Sequence, residues 1–201
     1  MKNYIVYLAV LALLAAGCRK EQKVEKREQK APGGVESYSK PTPSATAPQP
    51  QTPASAASTN VGSQMPAYEA KTLDGGTFDL ASERGSVIFL NLWATWCGPC
   101  KNEVPELQRL HNQYGARGFK VVGVSLDDNP EVVQEFIKQY QITYPVVFDP
   151  DQKAANVFQT SMIPTSLVIN RKGKIVWRRQ MAIDPHDAEL VKVIESALSS
   201  S

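Results

Sequence analysis

The chain has 201 residues, 42% hydrophobic and 21% charged, with a formal net charge of +2; such a composition excludes collagen, coiled coil and multi-spanning membrane protein. Three cysteines in that length also exclude a small disulfide scaffold. Eight Lys+Arg against four Asp+Glu precede residue 41, so the positive excess sits on the N-terminal stretch, whereas a nucleic-acid binder would carry it on its folded part.

Lys2 precedes an apolar run from Tyr4 to Ala16. About 13 residues suit a signal-peptide h-region and fall short of the roughly 20 that span a bilayer. Residues 1–17 are therefore expected to be a signal peptide. The run ends in Leu14-Ala15-Ala16-Gly17-Cys18, which resembles the lipobox of bacterial lipoproteins, with Ala15 where that pattern usually has Leu. The resemblance implies lipidation of Cys18 and a membrane-anchored domain facing the periplasm or extracytoplasmic space. An uncleaved anchor, or cleavage leaving Cys18 as a free thiol, are the other readings.

Residues 18–64 hold Pro32, Pro41, Pro43, Pro48, Pro50 and Pro53 among Ser, Thr, Ala and Gln, with almost no large apolar side chain. Burial there cannot offset chain entropy, so this stretch is expected to be a disordered tether. About 45 residues of flexible coil reach roughly 35–40 Å.

A folded domain is expected over residues 65–201. Ala67 to Leu73 and Thr77 to Leu80, joined by Asp74-Gly75-Gly76, read as a hairpin. Val87 to Trp93 is nearly continuous in apolar residues, the mark of a strand buried on both faces. A helix from about Pro99 to Tyr114 follows, then a buried strand from Phe119 to Ser125 and a helix capped by Asn129-Pro130. Tyr144 to Phe148, a short helix around Ala154 to Phe158, Ser166 to Asn170, Ile175 to Arg178 and a last helix from Asp187 to Leu198 complete the series. Alternating strands and helices predict an α/β fold with a central mixed sheet flanked by helices on both faces. The basic residues Arg171, Lys172, Lys174, Arg178 and Arg179 read as a solvated edge that blocks strand pairing.

Chemistry concentrates where the first buried strand ends, at Trp96-Cys97-Gly98-Pro99-Cys100. Two cysteines separated by two residues at a strand-to-helix junction lie within disulfide reach. The helix N-terminus, with its unpaired amides and dipole, favours a thiolate on Cys97. Cys100, one turn further in, is the shielded resolving thiol. Trp96 is expected to be a partly exposed platform beside them, and Trp93 and Phe89 to be core.

The string Asn91-Leu92-Trp93-Ala94-Thr95-Trp96-Cys97-Gly98-Pro99-Cys100, with Glu103, Pro105 and Ile163-Pro164-Thr165 downstream, resembles the thioredoxin superfamily. It is most similar to the exported TlpA/ResA-like thiol-disulfide oxidoreductases, a group that includes cytochrome c maturation reductases. The resemblance implies a thioredoxin-like fold with an N-terminal hairpin and a redox-active Cys97–Cys100 disulfide in place of any separate cofactor or metal. It implies a cis Pro164 and, with Ile163, an edge that pairs with the substrate chain. Thioredoxin carries a buried Asp where this chain has Asn91. The resemblance makes Glu103 the substitute that moves protons to and from Cys100; the alternative is a solvated first-turn carboxylate. The implied partners are disulfide-containing exported proteins, apocytochrome c among them, and a membrane thiol-disulfide electron donor, with the protein itself a monomer.

Two rival functions use the same fold. A thiol-dependent peroxidase needs a Pro-x-x-x-Thr-x-x-Cys setting; Thr95 is in reach of Cys97, but no proline precedes it at the required place. A copper-binding metallochaperone would use Cys97 and Cys100 with Met162 or His186.

Overall fold

Six apolar side chains and Asn91 make up β3 (Val87–Trp93), and all seven residues are buried. Such a strand needs partners on both edges and cover on both faces. In the computed structural model, which describes residues 58–200, β4 (Phe119–Ser125) pairs with it in parallel and β6 (Thr165–Ile169) antiparallel. The described sheet runs β2-β1-β5-β4-β3-β6-β7. Its remaining strands are β1 (Glu69–Thr72), β2 (Thr77–Asp79), β5 (Val146–Phe148) and β7 (Ile175–Arg179). The expected hairpin is the β1–β2 pair, and the sheet is mixed: among the described strands the neighbours β3–β4 and β4–β5 pair in parallel and the other neighbours antiparallel. The expected signal peptide, the lipidation site Cys18 and the tether up to residue 57 lie outside the described residues.

Alternation along β3 builds two cores. Val87, Phe89 and Trp93 face α1 (Gly98–Tyr114), α2 (Pro130–Gln139) and α4 (Ala188–Ser199) through Leu107, Leu110, Phe136 and Ile194. Ile88, Leu90 and Leu92 face Tyr68, Leu80, Phe158 and Ala154 of α3 (Lys153–Val157). Helices therefore cover both faces, three on one and the short α3 on the other. Each fully buried Leu, Ile or Phe contributes about 1.5–3 kcal/mol, so these two layers dominate stability. The caps sit where the sequence places them: Asn129 accepts from the Glu131 N–H at 2.8 Å and Asp187 from the Leu190 N–H at 3.0 Å.

Two expectations are corrected. Packing is already present at Thr59, ahead of the expected Met65 boundary: Thr59 is buried and its hydroxyl donates to the Phe158 carbonyl at 3.0 Å. Gly62 N–H donates to Ile175 O and Ile175 N–H to Ser63 O, so this segment covers the β7 edge with backbone. The low hydrophobicity that made residues 59–64 look unpackable is irrelevant here, because hydrogen bonding holds them in place.

The basic cluster, for its part, is not simply a solvated edge. Arg171 donates to Gly85 O at 2.8 Å and Arg117 O at 3.1 Å, tying together the turns that precede β3 and β4. Arg178 donates to Thr59 O, Phe158 O and Gln159 O, and Arg179 pairs with Asp187 and Glu189 while lying over the Trp177 ring. Arg171→Ala is expected to destabilise the domain by about 2 kcal/mol, since bonds from a charged donor are each worth about 1.5–3 kcal/mol. Urea unfolding would show a lower midpoint at unchanged slope; a midpoint equal to wild type would refute the role.

Candidate active site

The parallel strands β3, β4 and β5 end at one edge of the sheet, with Trp93 opposite Ser125 and Ser125 opposite Phe148. The chain leaves β3 through Ala94-Thr95-Trp96 and enters α1 at Cys97. Trp93 anchors the start of this turn: it is buried, its ring centroid is 4.8 Å from that of Phe136, and a Cβ on Gly123 would come within 2.9 Å of its Nε1. Glycine at 123 is therefore required by the indole rather than by backbone conformation.

Cys97 is the N-cap of α1, and Cys97 and Cys100 are joined in a disulfide. Cys97 Sγ accepts from the Cys100 N–H at 3.2 Å, the bond an N-cap side chain makes. The same helix N-terminus stabilises negative charge on that sulfur when the bond is reduced. Exposure is 5% at Cys97 and 1% at Cys100, so both sulfurs are largely covered in the disulfide form. Trp96 is 69% exposed beside them.

Asp127, just beyond β4, holds the turn and was not singled out from sequence. Its carboxylate accepts from the Thr95 N–H at 3.0 Å, the Thr95 hydroxyl at 2.7 Å and the Ser125 hydroxyl at 2.8 Å. The available signal was an acidic residue at the C-terminal end of a buried parallel strand, where α/β sheets build sites.

Glu103 lies one helical turn beyond Cys100, a spacing that puts Cβ atoms about 5–6 Å apart on one face. It is 1% exposed, which overturns the alternative of a solvated first-turn carboxylate. Oε1 accepts from Asn91 Nδ2 at 2.7 Å and Oε2 from the Ile183 N–H at 3.1 Å. Burial pushes its pKa up to about 7, and these two donors pull against that rise. Asn91 also donates to Ser166 Oγ at 3.0 Å. The serine hydroxyl can donate as well as accept, so an amide rotation at Asn91 can serve a protonated Glu103 as readily as an ionised one. Tyr144 is buried nearby, its phenol pushed up by burial and then by the Glu103 charge.

The Ile163–Pro164 peptide bond is cis, at the entry to β6. Ile163, Met162 and Trp96 line a groove of about 290 Å³ together with Leu126, Gln152 and Ala155. Among the described residues, no charged side chain lines it. His186 occupies a left-handed turn with its N–H donating to Glu106 at 3.1 Å, and His111 is half-buried against Tyr144. Among the described residues, no cluster of three or more His, Cys, Asp or Glu could hold a metal ion.

A profile of the AhpC/TSA family matches residues 61–178, more than half of the chain. The chain belongs to the AhpC/TSA family. Within that family it is similar to the thiol-disulfide oxidoreductase ResA of Bacillus cereus, 32% identical over 116 residues that cover 58% of this chain and 67% of the relative. ResA of Bacillus subtilis is 33% identical over 115 residues, covering 57% and 64%. Among solved structures, a putative thiol:disulfide interchange protein DsbE from Chlorobium tepidum superposes with a TM-score of 0.65 at 32% identity, covering 70% of this chain and 99% of the other. This AhpC/TSA member thus has a thioredoxin-like fold and is a thiol-disulfide oxidoreductase.

Proposed function

We propose that the protein is a membrane-tethered, extracytoplasmic disulfide reductase for exported proteins such as apocytochrome c. The observation that carries the reading is the Cys97–Cys100 pair at the N-terminus of α1 with the buried Glu103 one turn below. Cys97 thiolate attacks a substrate disulfide, forming the Cys97–substrate bond and releasing one substrate thiolate. Cys100 passes its proton to Glu103, attacks Cys97 Sγ and expels the second thiolate, so two electrons move to the substrate and the enzyme is left as the disulfide. A thiol-disulfide donor in the membrane then restores the dithiol. Ile163 and Pro164 form the edge along which the substrate chain lies, and Trp96 shields the reacting sulfurs from one side. The uncharged groove accommodates an apolar side chain flanking the substrate cysteine. Cys18, once lipidated, and residues 19–57 keep a monomeric domain near its donor, and no cofactor beyond the disulfide is required.

The peroxidase alternative is disfavoured by Thr95, whose single hydroxyl proton is committed to Asp127, and by Leu90 and Ala94 at the places of the motif's proline and threonine. Expression of full-length Cys100→Ser in the native cell, followed by identification of its mixed-disulfide adducts, tests the assignment. Membrane-associated adducts with exported proteins bearing Cys-x-x-Cys-His segments are expected. A soluble protein that captures only peroxide-derived adducts, or only cytoplasmic proteins, would overturn it.

A further inference from the structure

The backbone between α3 and β6 carries the cis-Pro164 edge, and it lies outside the sheet ladder. Arg178 fixes its start, donating to the Phe158 carbonyl at 2.7 Å and the Gln159 carbonyl at 2.9 Å. Thr160 N–H then donates to the Ala155 carbonyl at 2.9 Å, and the residues after it are held by side chains. Thr165 Oγ1 donates to Met162 O at 2.8 Å and stands 2.7 Å from Thr160 Oγ1. Thr160 Oγ1 in turn accepts from the Met162 N–H at 3.3 Å and from Gln180 Nε2 at 3.2 Å, and lies 2.9 Å from Met162 O. A hydroxyl has one proton and two lone pairs. The assignment that satisfies all partners has Thr165 donating to Met162 O and Thr160 donating to Thr165 or to Met162 O, with both Thr160 lone pairs filled by Met162 N–H and Gln180. Both polar groups of the Met162 backbone are thereby occupied. Among the described residues, no protein group bonds the N–H or carbonyl of Ile163.

We propose that Thr160 is a positioning residue for polypeptide substrates: braced by Gln180 and Thr165, its hydroxyl engages the Met162 N–H while Thr165 holds the Met162 carbonyl, so that Ile163 and not Met162 offers its N–H and carbonyl to the incoming chain. This rests on the reading of the 163–164 edge as the substrate-pairing edge. An extended chain has alternating backbone groups, and a one-residue slip turns every side chain to the opposite face. Withdrawing Met162 from competition excludes the register slipped by one residue, which would turn the substrate cysteine away from Cys97.

The test uses the reduced protein and two disulfides. Insulin presents a polypeptide backbone to the edge, whereas hydroxyethyl disulfide has none. Thr160→Val keeps the shape and loses the hydroxyl; it is expected to lower kcat/KM for insulin about tenfold, mostly through KM, in line with about 1.4 kcal/mol for the lost interactions. Its rate with hydroxyethyl disulfide stays within about twofold of wild type, because Cys97 is untouched. Thr160→Ser restores insulin reduction. Gln180→Leu, which removes a brace from outside the segment, shifts the insulin KM in the same direction and carries the test if Thr160→Val does not fold. An unchanged insulin KM in both variants, a proportional loss with both disulfides, or a serine that fails to restore would overturn the proposal. Failure of wild-type protein to reduce insulin would instead overturn the reading on which it rests.

Discussion

Cys97→Ser abolishes disulfide reduction, and Cys100→Ser leaves an enzyme that attacks once and stops. In insulin reduction with a chemical dithiol as electron source, the first variant falls to the uncatalysed rate, a loss of several orders of magnitude of the kind seen when a nucleophile is removed. The second accumulates a covalent adduct visible by intact mass. The asymmetry follows from position. Cys97 Sγ is at the N-cap and already accepts the Cys100 N–H at 3.2 Å, so the helix terminus supports the thiolate at that sulfur and not at the one a turn inside. Cys100, 1% exposed and facing the Glu103 side of α1, is placed to resolve an adduct and badly placed to meet a protein substrate. The diagnostic outcome is the order of the two: an adduct that accumulates on Cys97→Ser with Cys100 as the attached sulfur would reverse the assignment.

Much of this was readable in the chain itself, for a physical reason. β3 announces itself because burial on both faces demands apolar residues at every position, and Asn91 then stands out as the one polar side chain in the run. The redox pair is legible because its chemistry needs two thiols at fixed spacing on a helix start, a local constraint. Burial of Glu103 was half legible: spacing puts it below Cys100, but only tertiary structure shows that Asn91 from β3 and Ile183 from the β7–α4 connection close over it. Thr160 and Gln180 left no local trace, because each acts on a segment remote in sequence or through a hydroxyl that looks like any loop residue, and Asp127 offered only its place at the C-terminal end of a buried strand. The same holds for Arg171 and Arg178. A cluster of basic residues on a hairpin reads as solvated unless the carbonyls it will bind, from residues 59, 85, 117 and 158, are known to converge there.

Glu103→Gln separates the proposed proton-transfer role from simple packing, because it changes both stability and reactivity with a defined pH dependence. The folded-state pKa of about 7 lies above the ordinary carboxyl value of 4.5, so ionising Glu103 is harder in the folded protein than in the unfolded chain. Below pH 4.5 the acid is protonated in both states and exerts no pH-dependent effect. As pH rises from 4.5 to 7 the unfolded chain releases its proton first, and the wild type loses stability, on the order of 3 kcal/mol when complete. Glutamine does not ionise, so Glu103→Gln lacks this decline and gains on the wild type above pH 7, less whatever one mismatched amide costs against Asn91 and Ile183. Reactivity moves the opposite way. In wild type the resolving step accelerates as pH rises through about 7, when Glu103 becomes able to take the Cys100 proton; general-base help of this kind is worth about 10²–10⁴-fold. In Glu103→Gln that inflection disappears, resolution is slowed by about a hundredfold at neutral pH, and the mixed disulfide accumulates as it does in Cys100→Ser, while the Cys97 attack keeps its rate. A variant more stable than wild type at pH 8 yet slow in resolution identifies a base retained at the expense of stability. Unchanged resolution kinetics would leave Glu103 a packing residue and remove it from the mechanism.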